Sequence, residues 1–232
     1  VASWARAVEA NPSDVDSLHL LGFALIAGGR EFERARALLV RARQVDPLHL
    51  IYGTADRVYP AWYCADFGAL LDILNEVDWW IGLNAPIPRL FKGFFHAATG
   101  DLDEAFELFG HIDRDTPEHP AAALGAFLGH AFQGEPDQAL AAVTKKLEQT
   151  AWWDDYFPVL LADGYIMIGE QERALDWVDR AIDMGTTNVT FLGEHEPFLR
   201  RLRGDPRYEA LLEKARKLSE SLTDNLKLPG WA

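Results

Sequence analysis

Residues 90 to 117 have the sequence LFKGFFHAATGDLDEAFELFGHIDRDTP, and this stretch decides the fold. Two glycines, Gly93 and Gly100, precede Ala105, and Phe109 follows it by one helical turn. Glycine at position 100 suits a helix end, where the backbone takes a positive φ before a tight turn. The stretch therefore predicts two helices joined at Gly100, with small residues where the helices approach closely.

The same spacing recurs along the chain. Alanines that fall early in successive predicted helices stand 34 to 36 residues apart, at Ala35, Ala69, Ala105, Ala139 and Ala174. A glycine stands five or six residues before four of these alanines, at Gly29, Gly100, Gly134 and Gly169. Self-similarity at such a period is the signature of a helical repeat array.

These positions resemble the tetratricopeptide repeat, whose pattern is W-x2-L-G-x2-Y, then A-x3-F, then P. The first full copy, with leucine replacing the aromatic residues, is Leu18, Leu21, Gly22, Leu25, Ala35, Leu39, Ala42 and Pro47. The resemblance extends over roughly residues 2 to 183. It implies an all-α fold, a right-handed superhelix (solenoid) of antiparallel helical hairpins with a concave inner surface.

The period divides the chain into parts of a single domain. We expect a partial repeat in residues 1–12, repeats at about 13–47, 48–82, 83–117, 118–152 and 153–187, and capping helices in 188–232. Because the first part resembles the second helix of a repeat without its first, we expect the chain to be a piece of a longer protein.

Two places depart from the pattern. Residues 48–82 have Cys64 where glycine is expected, and Tyr59 with Pro60 where a helix would begin or break. We interpret them as a degenerate repeat, where curvature could change or a dimer form, which leaves homo-oligomerisation open. Phe127 stands at the place of the small residue Gly22, which puts the local helix spacing in doubt.

The last part of the chain predicts a short helix and then a final one. Asp205 is expected to cap the final helix, and Pro206 suits its first turn. The sequence FLRRLRGDPRYEALL, residues 198 to 212, is similar to the closing stretch of many bacterial tetratricopeptide arrays that follow kinase, cyclase or DNA-binding regulatory domains.

Composition excludes several classes of protein. The chain has 232 residues, 49% hydrophobic and 25% charged, which is typical of a globular domain. Its formal charge of −14 disfavours nucleic acid and anionic membrane surfaces as partners. The apolar stretch from Leu20 to Ala27 is too short to span a membrane. The single cysteine, Cys64, allows no internal disulfide, so we expect a cytoplasmic protein.

The sequence predicts no cofactor, metal or catalytic centre. Two histidines one period apart, His96 and His130, are expected to be hydrogen-bonded core residues, and Cys64 a buried thiol. The cluster Glu194, His195 and Glu196 is expected in a solvated turn, since adjacent helical residues do not face each other. Four arginines are expected to neutralise nearby carboxylates: Arg200, Arg201, Arg203 and Arg207.

Paired tryptophans suggest one further feature. In each of the pairs Trp79-Trp80 and Trp152-Trp153, one side chain is expected in the core and the other exposed, because successive helical residues point about 100° apart. An exposed tryptophan is a common anchor for a partner.

In tetratricopeptide proteins the first helix of each hairpin lines the concave groove. The resemblance therefore implies that the partner-binding residues are Phe23, Trp62, Leu90, Phe94, Leu128, Phe132, Tyr156 and Asp163. This aromatic, weakly acidic set lacks the basic residues of a chaperone carboxylate clamp. We expect a non-catalytic interaction or scaffold module, not an enzyme, that binds an apolar segment with a basic flank, from another protein or a missing part of the same chain. The alternative is an α/α-barrel carbohydrate-active enzyme with a cleft lined by tryptophan and carboxylates.

Overall fold

The computed structural model describes residues 1–81 and 85–223, and their side chains except those at positions 50, 51, 77–81 and 223. The described residues are helical and contain no strand, which confirms the all-α prediction. The helices are α1 (Ala2–Ala10), α2 (Val15–Ala27), α3 (Phe32–Val45), α4 (Leu50–Tyr63), α5 (Phe67–Ile81), α6 (Pro86–Thr99), α7 (Leu102–Asp115), α8 (Pro120–Gln133), α9 (Pro136–Ala142), α10 (Lys145–Ala151), α11 (Phe157–Met167), α12 (Gln171–Met184) and α13 (Pro206–Thr223).

The two helices of a pair approach each other closely at a glycine. A methyl group added at Gly22 of α2 would lie 2.7 Å from Cγ of Leu39 on α3. At Gly93 of α6 it would lie 2.8 Å from Cδ1 of Phe109 on α7. Only glycine lets the two helices approach this closely, as the repeated spacing predicts.

The turns between paired helices have the expected backbone. Gly29, Gly100 and Gly134 have φ values of 66°, 95° and 71°. In the turn after α4, where glycine is missing, Ala65 takes the positive φ of 52° instead, and Asp66 N–H donates to the carbonyl of Ala61 at 2.9 Å. The degenerate stretch thus keeps the helix-turn-helix geometry with a backbone conformation that is unfavourable for alanine.

Helix α4 corrects the expectation of a break at Tyr59 and Pro60. The helix continues through Pro60 and ends at Tyr63. Pro60 lies in the last turn and has no N–H, so α4 lacks the hydrogen bond from position 60 to the carbonyl of residue 56.

The departure at Phe127 has a specific compensation. Phe127 is fully buried on α8, and a methyl group added at Gly164 on α11 would lie 2.7 Å from Cζ of its ring. The large ring of Phe127 therefore fits because α11, the first helix of the next hairpin, has glycine at the point of contact.

Residues 136–151 form two short helices rather than one. Helix α9 ends at Ala142, and α10 begins after Thr144, whose hydroxyl accepts a hydrogen bond from Leu147 N–H at 3.1 Å. A threonine in this capping role starts a new helix and redirects the chain.

The chain after α12 forms two short turns and a final helix. A π-helical turn (Phe191–His195) and a 3-10 turn (Leu199–Leu202) replace the short helix that we expected. Asp205 accepts hydrogen bonds from the backbone N–H groups of Arg207 and Tyr208, at 2.7 and 3.1 Å. The predicted cap of α13 is thereby confirmed.

The end of the chain returns to α2. The N–H of Thr187 donates to the carbonyl of Ala27 at 2.9 Å, and the hydroxyl of Ser219 donates to the carbonyl of Gly28 at 2.6 Å. We call residues 186–202 the C-terminal segment. The face formed by α2, α4, α6, α8 and α11 is called the inner surface. The C-terminal segment lies against the inner surface, which therefore differs from the open groove that we expected.

Candidate binding site

A cavity of about 250 Å³ lies between α4, α5 and α6. The backbones of α4 and α6 each pack against that of α5 and hardly contact one another, whereas α6 packs directly on α8 and α8 on α11. The walls are almost entirely apolar and consist of Thr54, Ala55, Val58, Tyr59, Trp62, Leu70, Ile73, Leu74, Ile87, Pro88, Phe91, Phe95 and Tyr156.

Aromatic rings form one side of the cavity. The ring of Trp62 meets Phe91 and Tyr156 edge to face, with centroids 5.9 and 5.4 Å apart. Phe91 and Phe95, one turn apart on α6, have centroids 5.9 Å apart. Edge-to-face contacts of this kind hold the rings in fixed orientations, so the cavity wall is ordered before anything binds.

The most exposed of the residues that line the cavity lies on α6. Ile87 lines it and is 37% exposed, whereas Ala55 and Leu70 on the opposite walls are buried. An exposed isoleucine beside buried apolar walls marks the mouth through which an apolar group could enter.

A hydrogen bond between His19 and Tyr59 joins α2 to α4 beside the cavity. Nε2 of His19 on α2 and the hydroxyl of Tyr59 on α4 are 2.6 Å apart. Burial lowers the pKa of His19 and raises the pKa of Tyr59. Both groups are therefore neutral at pH 7, and the bond ties α2 to α4 without placing a charge near the cavity.

The eight predicted binding residues do not lie together at one site. Trp62 and Tyr156 line the cavity, and the half-buried Phe23 packs against Tyr59, with ring centroids 4.9 Å apart. Leu90 and Leu128 are fully buried, so their expected orientation into an open groove was wrong.

Two of the predicted residues contact the chain's own C-terminal segment. Phe94 is buried, Phe132 is half-buried, and the ring of Phe198 lies 6.0 and 5.7 Å from theirs. Phe94 therefore does not face an open groove. The repeat spacing predicts that Phe94 and Phe132 face the inner surface. It does not indicate that a segment about 60 to 100 positions later in the sequence covers that surface.

Sequence reasoning missed Tyr59, Phe91 and Phe95 as cavity residues. The available signal was the pairing of aromatic residues one turn apart on neighbouring first helices, since Tyr59 precedes Trp62 by three positions and Phe91 precedes Phe95 by four. The separation of α4 and α6, which creates the cavity, has no such local signal.

A buried pair of carboxyl groups was also missed. Asp163 on α11, expected to line the groove, is fully buried, and Glu196, expected in a solvated turn, is 2% exposed. Burial raises the pKa of both groups, to about 7 for Glu196, and each acts on the other. The expectation for Glu196 was wrong because its side chain turns back to accept hydrogen bonds from its own turn.

The two repeat-related histidines are hydrogen-bonded but are not core residues. Nδ1 of His96 lies 3.1 Å from Asp101, and Nδ1 of His130 lies 2.7 Å from Glu135. Both rings are partly exposed at the ends of their helices. The expectation of burial was wrong because each ring bonds to the carboxylate just after the turn glycine.

The single cysteine and one tryptophan pair also differ from expectation. Cys64 is exposed at the turn after α4, so it is not a buried thiol. Trp152 and Trp153 are both exposed, at 49% and 77%, because they follow the end of α10 and neither enters the core. The guanidinium of Arg180 lies over Trp152, 4.4 Å from the ring centroid. The side chains of Trp79 and Trp80 lie outside the described residues.

The predicted basic group does not form one patch. Arg207 pairs with Glu172 at 2.7 Å and with Asp176, as expected for neutralisation. Arg203 instead donates to the carbonyl of Gly193, which fixes the π-helical turn.

Comparison of the chain with known proteins does not supply a function. No model of a known protein family matches it, and no curated protein matches it either. Within residues 1–81 and 85–223, no helix is both long and apolar enough to cross a membrane. No three histidine, cysteine or acidic side chains of the described residues are grouped to hold a metal ion.

Proposed function

We propose that this chain is a non-catalytic binding module that holds an apolar side chain of a partner polypeptide in the cavity between α4 and α6. The aromatic cavity with its mouth at Ile87 is the observation that carries the proposal. In keeping with the tetratricopeptide resemblance, we regard the module as a cytoplasmic part of a larger protein.

The size of the cavity favours a side chain over a whole small molecule. Sites for drug-sized ligands occupy about 300 to 1,000 Å³, and this cavity is about 250 Å³. One or two apolar side chains fill such a space. Burying one phenylalanine or leucine side chain contributes about 1.5 to 3 kcal/mol. A side chain that supplies this energy in one pocket is the usual anchor of a protein interface.

The chain's own contacts indicate the chemistry of the partner. The C-terminal segment places Phe191 5.9 Å from Trp62 and Phe198 6.0 Å from Phe94, and Arg200 and Arg201 follow Phe198 closely. The inner surface therefore accepts two aromatic residues, one of which is followed by arginines. A net charge of −14 attracts a basic flank over longer distances. We propose a partner segment of this type.

The buried carboxyl pair does not favour the carbohydrate-active alternative. Such enzymes need two carboxyl groups about 5 to 10 Å apart that face a sugar in a cleft. Asp163 and Glu196 are both enclosed in the protein. We therefore propose no catalytic role for them.

The test uses N-phenyl-1-naphthylamine, a neutral fluorophore that brightens in apolar sites. The variant Ala55→Leu adds carbon atoms to the cavity wall, and Ala10→Leu adds the same atoms at an exposed position of α1. We expect saturable binding to the wild type and to Ala10→Leu, and at least tenfold weaker binding to Ala55→Leu. Equal binding to all three proteins would place the probe elsewhere and refute the cavity as the site.

Peptide competition then tests the partner. A ten-residue peptide with one phenylalanine between arginines should displace the probe, and the same peptide with alanine for phenylalanine should not. Replacing its arginines with glutamates should weaken displacement at low salt. Probe binding that no peptide displaces would overturn the polypeptide partner in favour of a small apolar ligand.

A further inference from the structure

The C-terminal segment touches every helix of the inner surface. Its contacts with α2, α4, α6 and α8 include a hydrogen bond from the Asn188 amide to the carbonyl of Ile26 at 3.2 Å, and the rings of Phe191 and Phe198 described above. His195 adds a bond of 2.8 Å between its Nδ1 and the carbonyl of Tyr63 on α4. The segment meets α11 through its 3-10 turn and through the interaction of Glu196 with Asp163.

The carboxyl pair is short of hydrogen-bond donors. Oε2 of Glu196 accepts bonds from the N–H groups of Phe198 and Leu199, at 2.7 and 2.6 Å. The other oxygen of Glu196 and both oxygens of Asp163 are buried without a donor among the described protein atoms. Two ionised carboxylates can only accept hydrogen bonds, so neither can satisfy the other. A single proton between them supplies the missing donor and removes one buried charge.

We propose that Asp163 and Glu196 fasten the C-terminal segment to α11 through a proton held between them, and that loss of protons from this pair as the pH rises releases the segment from the inner surface. Neither carboxyl group lines the cavity between α4 and α6. The proposal is therefore tested separately from the proposed partner site.

The surroundings support a shared proton. Burial is the largest cause of the raised pKa of both groups, followed for Asp163 by the negative charge of Glu196. The two backbone bonds, and the charge of Arg200 on the 3-10 turn, lower the pKa of Glu196 in part. Tyr208 of α13 also faces the pair. Its hydroxyl donates to the carbonyl of Leu192, and its pKa is raised by burial and then by both carboxyl groups.

The sign of the pH effect follows from these shifts. Each folded-state pKa lies above its ordinary value, 4.5 for Glu196 and 3.8 for Asp163. The stabilisation is therefore complete in acid below these ordinary values, and it is lost as the pH rises through the folded pKa values. With a folded pKa of about 7, Glu196 loses its proton between pH 6 and pH 8.5, which by itself weakens docking about tenfold. This step takes the pair from two protons to one, and the proton that the two groups then share is lost as the pH rises through the folded pKa of Asp163.

Hydrogen–deuterium exchange with mass spectrometry measures the docking directly. We expect peptides from the C-terminal segment to lose at least tenfold protection between pH 6 and pH 8.5, after correction for the intrinsic exchange rate. Peptides from α7 should keep theirs. Protection of the segment that does not change with pH would overturn the proposal.

Amide variants assign the effect. Glu196→Gln keeps an oxygen for the two backbone N–H groups and supplies an N–H to Asp163, so the pH dependence of protection should fall to that of the buried Asp163 alone. Asp163→Asn leaves Glu196 as the one titrating group and should likewise reduce the pH dependence, and it serves if the first variant fails to fold. The exposed neighbour Glu194→Gln should behave as the wild type. A pH dependence as large as that of the wild type in both pair variants would refute the role of the pair.

A cation is the competing way to neutralise the pair. Protection at pH 8.5 is therefore also measured with 5 mM magnesium or calcium chloride and with EDTA. We expect no difference between these solutions. Protection restored by either metal and removed by EDTA would show that the pair binds a cation, which would overturn the shared proton.

Discussion

Replacing Gly164 by alanine tests the close approach of α8 and α11. The added methyl group would lie 2.7 Å from Cζ and 3.0 Å from Cδ1 of Phe127. Real methyl groups are not found this close to a ring carbon, so the ring or a helix must move. Phe127 cannot move freely, because it is fully buried and its ring lies 4.9 Å from that of Tyr165.

The expected loss is the difference of two terms. Overpacking a close-packed core costs about 1 to 3 kcal/mol. Replacing glycine within a helix gains about 0.5 to 1 kcal/mol through lower backbone entropy in the unfolded chain. Gly164→Ala should therefore lower the free energy of unfolding by about 0 to 2.5 kcal/mol, with a middle value of about 1 kcal/mol. For a chain of this size each kcal/mol lowers Tm by about 2 to 4 °C.

Gly110→Ala is the matched control. Gly110 lies within α7, and its added methyl group would meet only the end of the Arg114 side chain, at 3.3 Å. This substitution should raise stability by about 0.5 to 1 kcal/mol. Urea unfolding followed by circular dichroism measures both variants, and Phe127→Leu should recover part of the loss in Gly164→Ala. If Gly164→Ala were as stabilising as Gly110→Ala, the interlocking of α8 and α11 would be refuted.

Substitutions at Asp205 and a chemical reaction of Cys64 test other parts of the fold. Asp205→Ala removes the acceptor for two backbone N–H groups of α13 and should cost about 1 kcal/mol in thermal unfolding, whereas Asp205→Asn keeps an acceptor and should stay near the wild type. Equal stability of Asp205→Ala and the wild type would contradict the cap. Cys64 is exposed, so Ellman's reagent should modify one thiol per folded chain at a rate within tenfold of that in 6 M guanidinium chloride. Protection beyond a hundredfold would show a buried thiol instead.

Local features of the fold could be predicted from the sequence because they depend on neighbouring residues. The turn at Gly100 needs a positive φ, and the close contact at Gly93 needs a missing side chain. The cap at Asp205 follows from its position before Pro206. Each of these requirements is met within one pair of helices.

The rest depends on contacts between distant parts of the chain. The register placed Phe94 and Asp163 on the inner surface, but nothing near them in sequence indicates that residues 186–202 cover them. Glu196 has the sequence surroundings of a solvated turn, and only the packing of that turn on α11 buries it. Pro60 shows that a local rule can also mislead, since a residue that usually breaks helices is tolerated in the last turn of α4.

The return of the chain to α2 has a consequence for how the protein folds. Hydrogen bonds join Asn188 to Ile26 and Ser219 to Gly28, which are 162 and 191 residues apart. Repeat arrays held only by neighbouring units fold from any point and fray from their ends. Here α2 completes its contacts only after α13 has emerged from the ribosome. Contacts of such large sequence separation raise the contact order, which slows folding, and truncation at either end removes contacts from both.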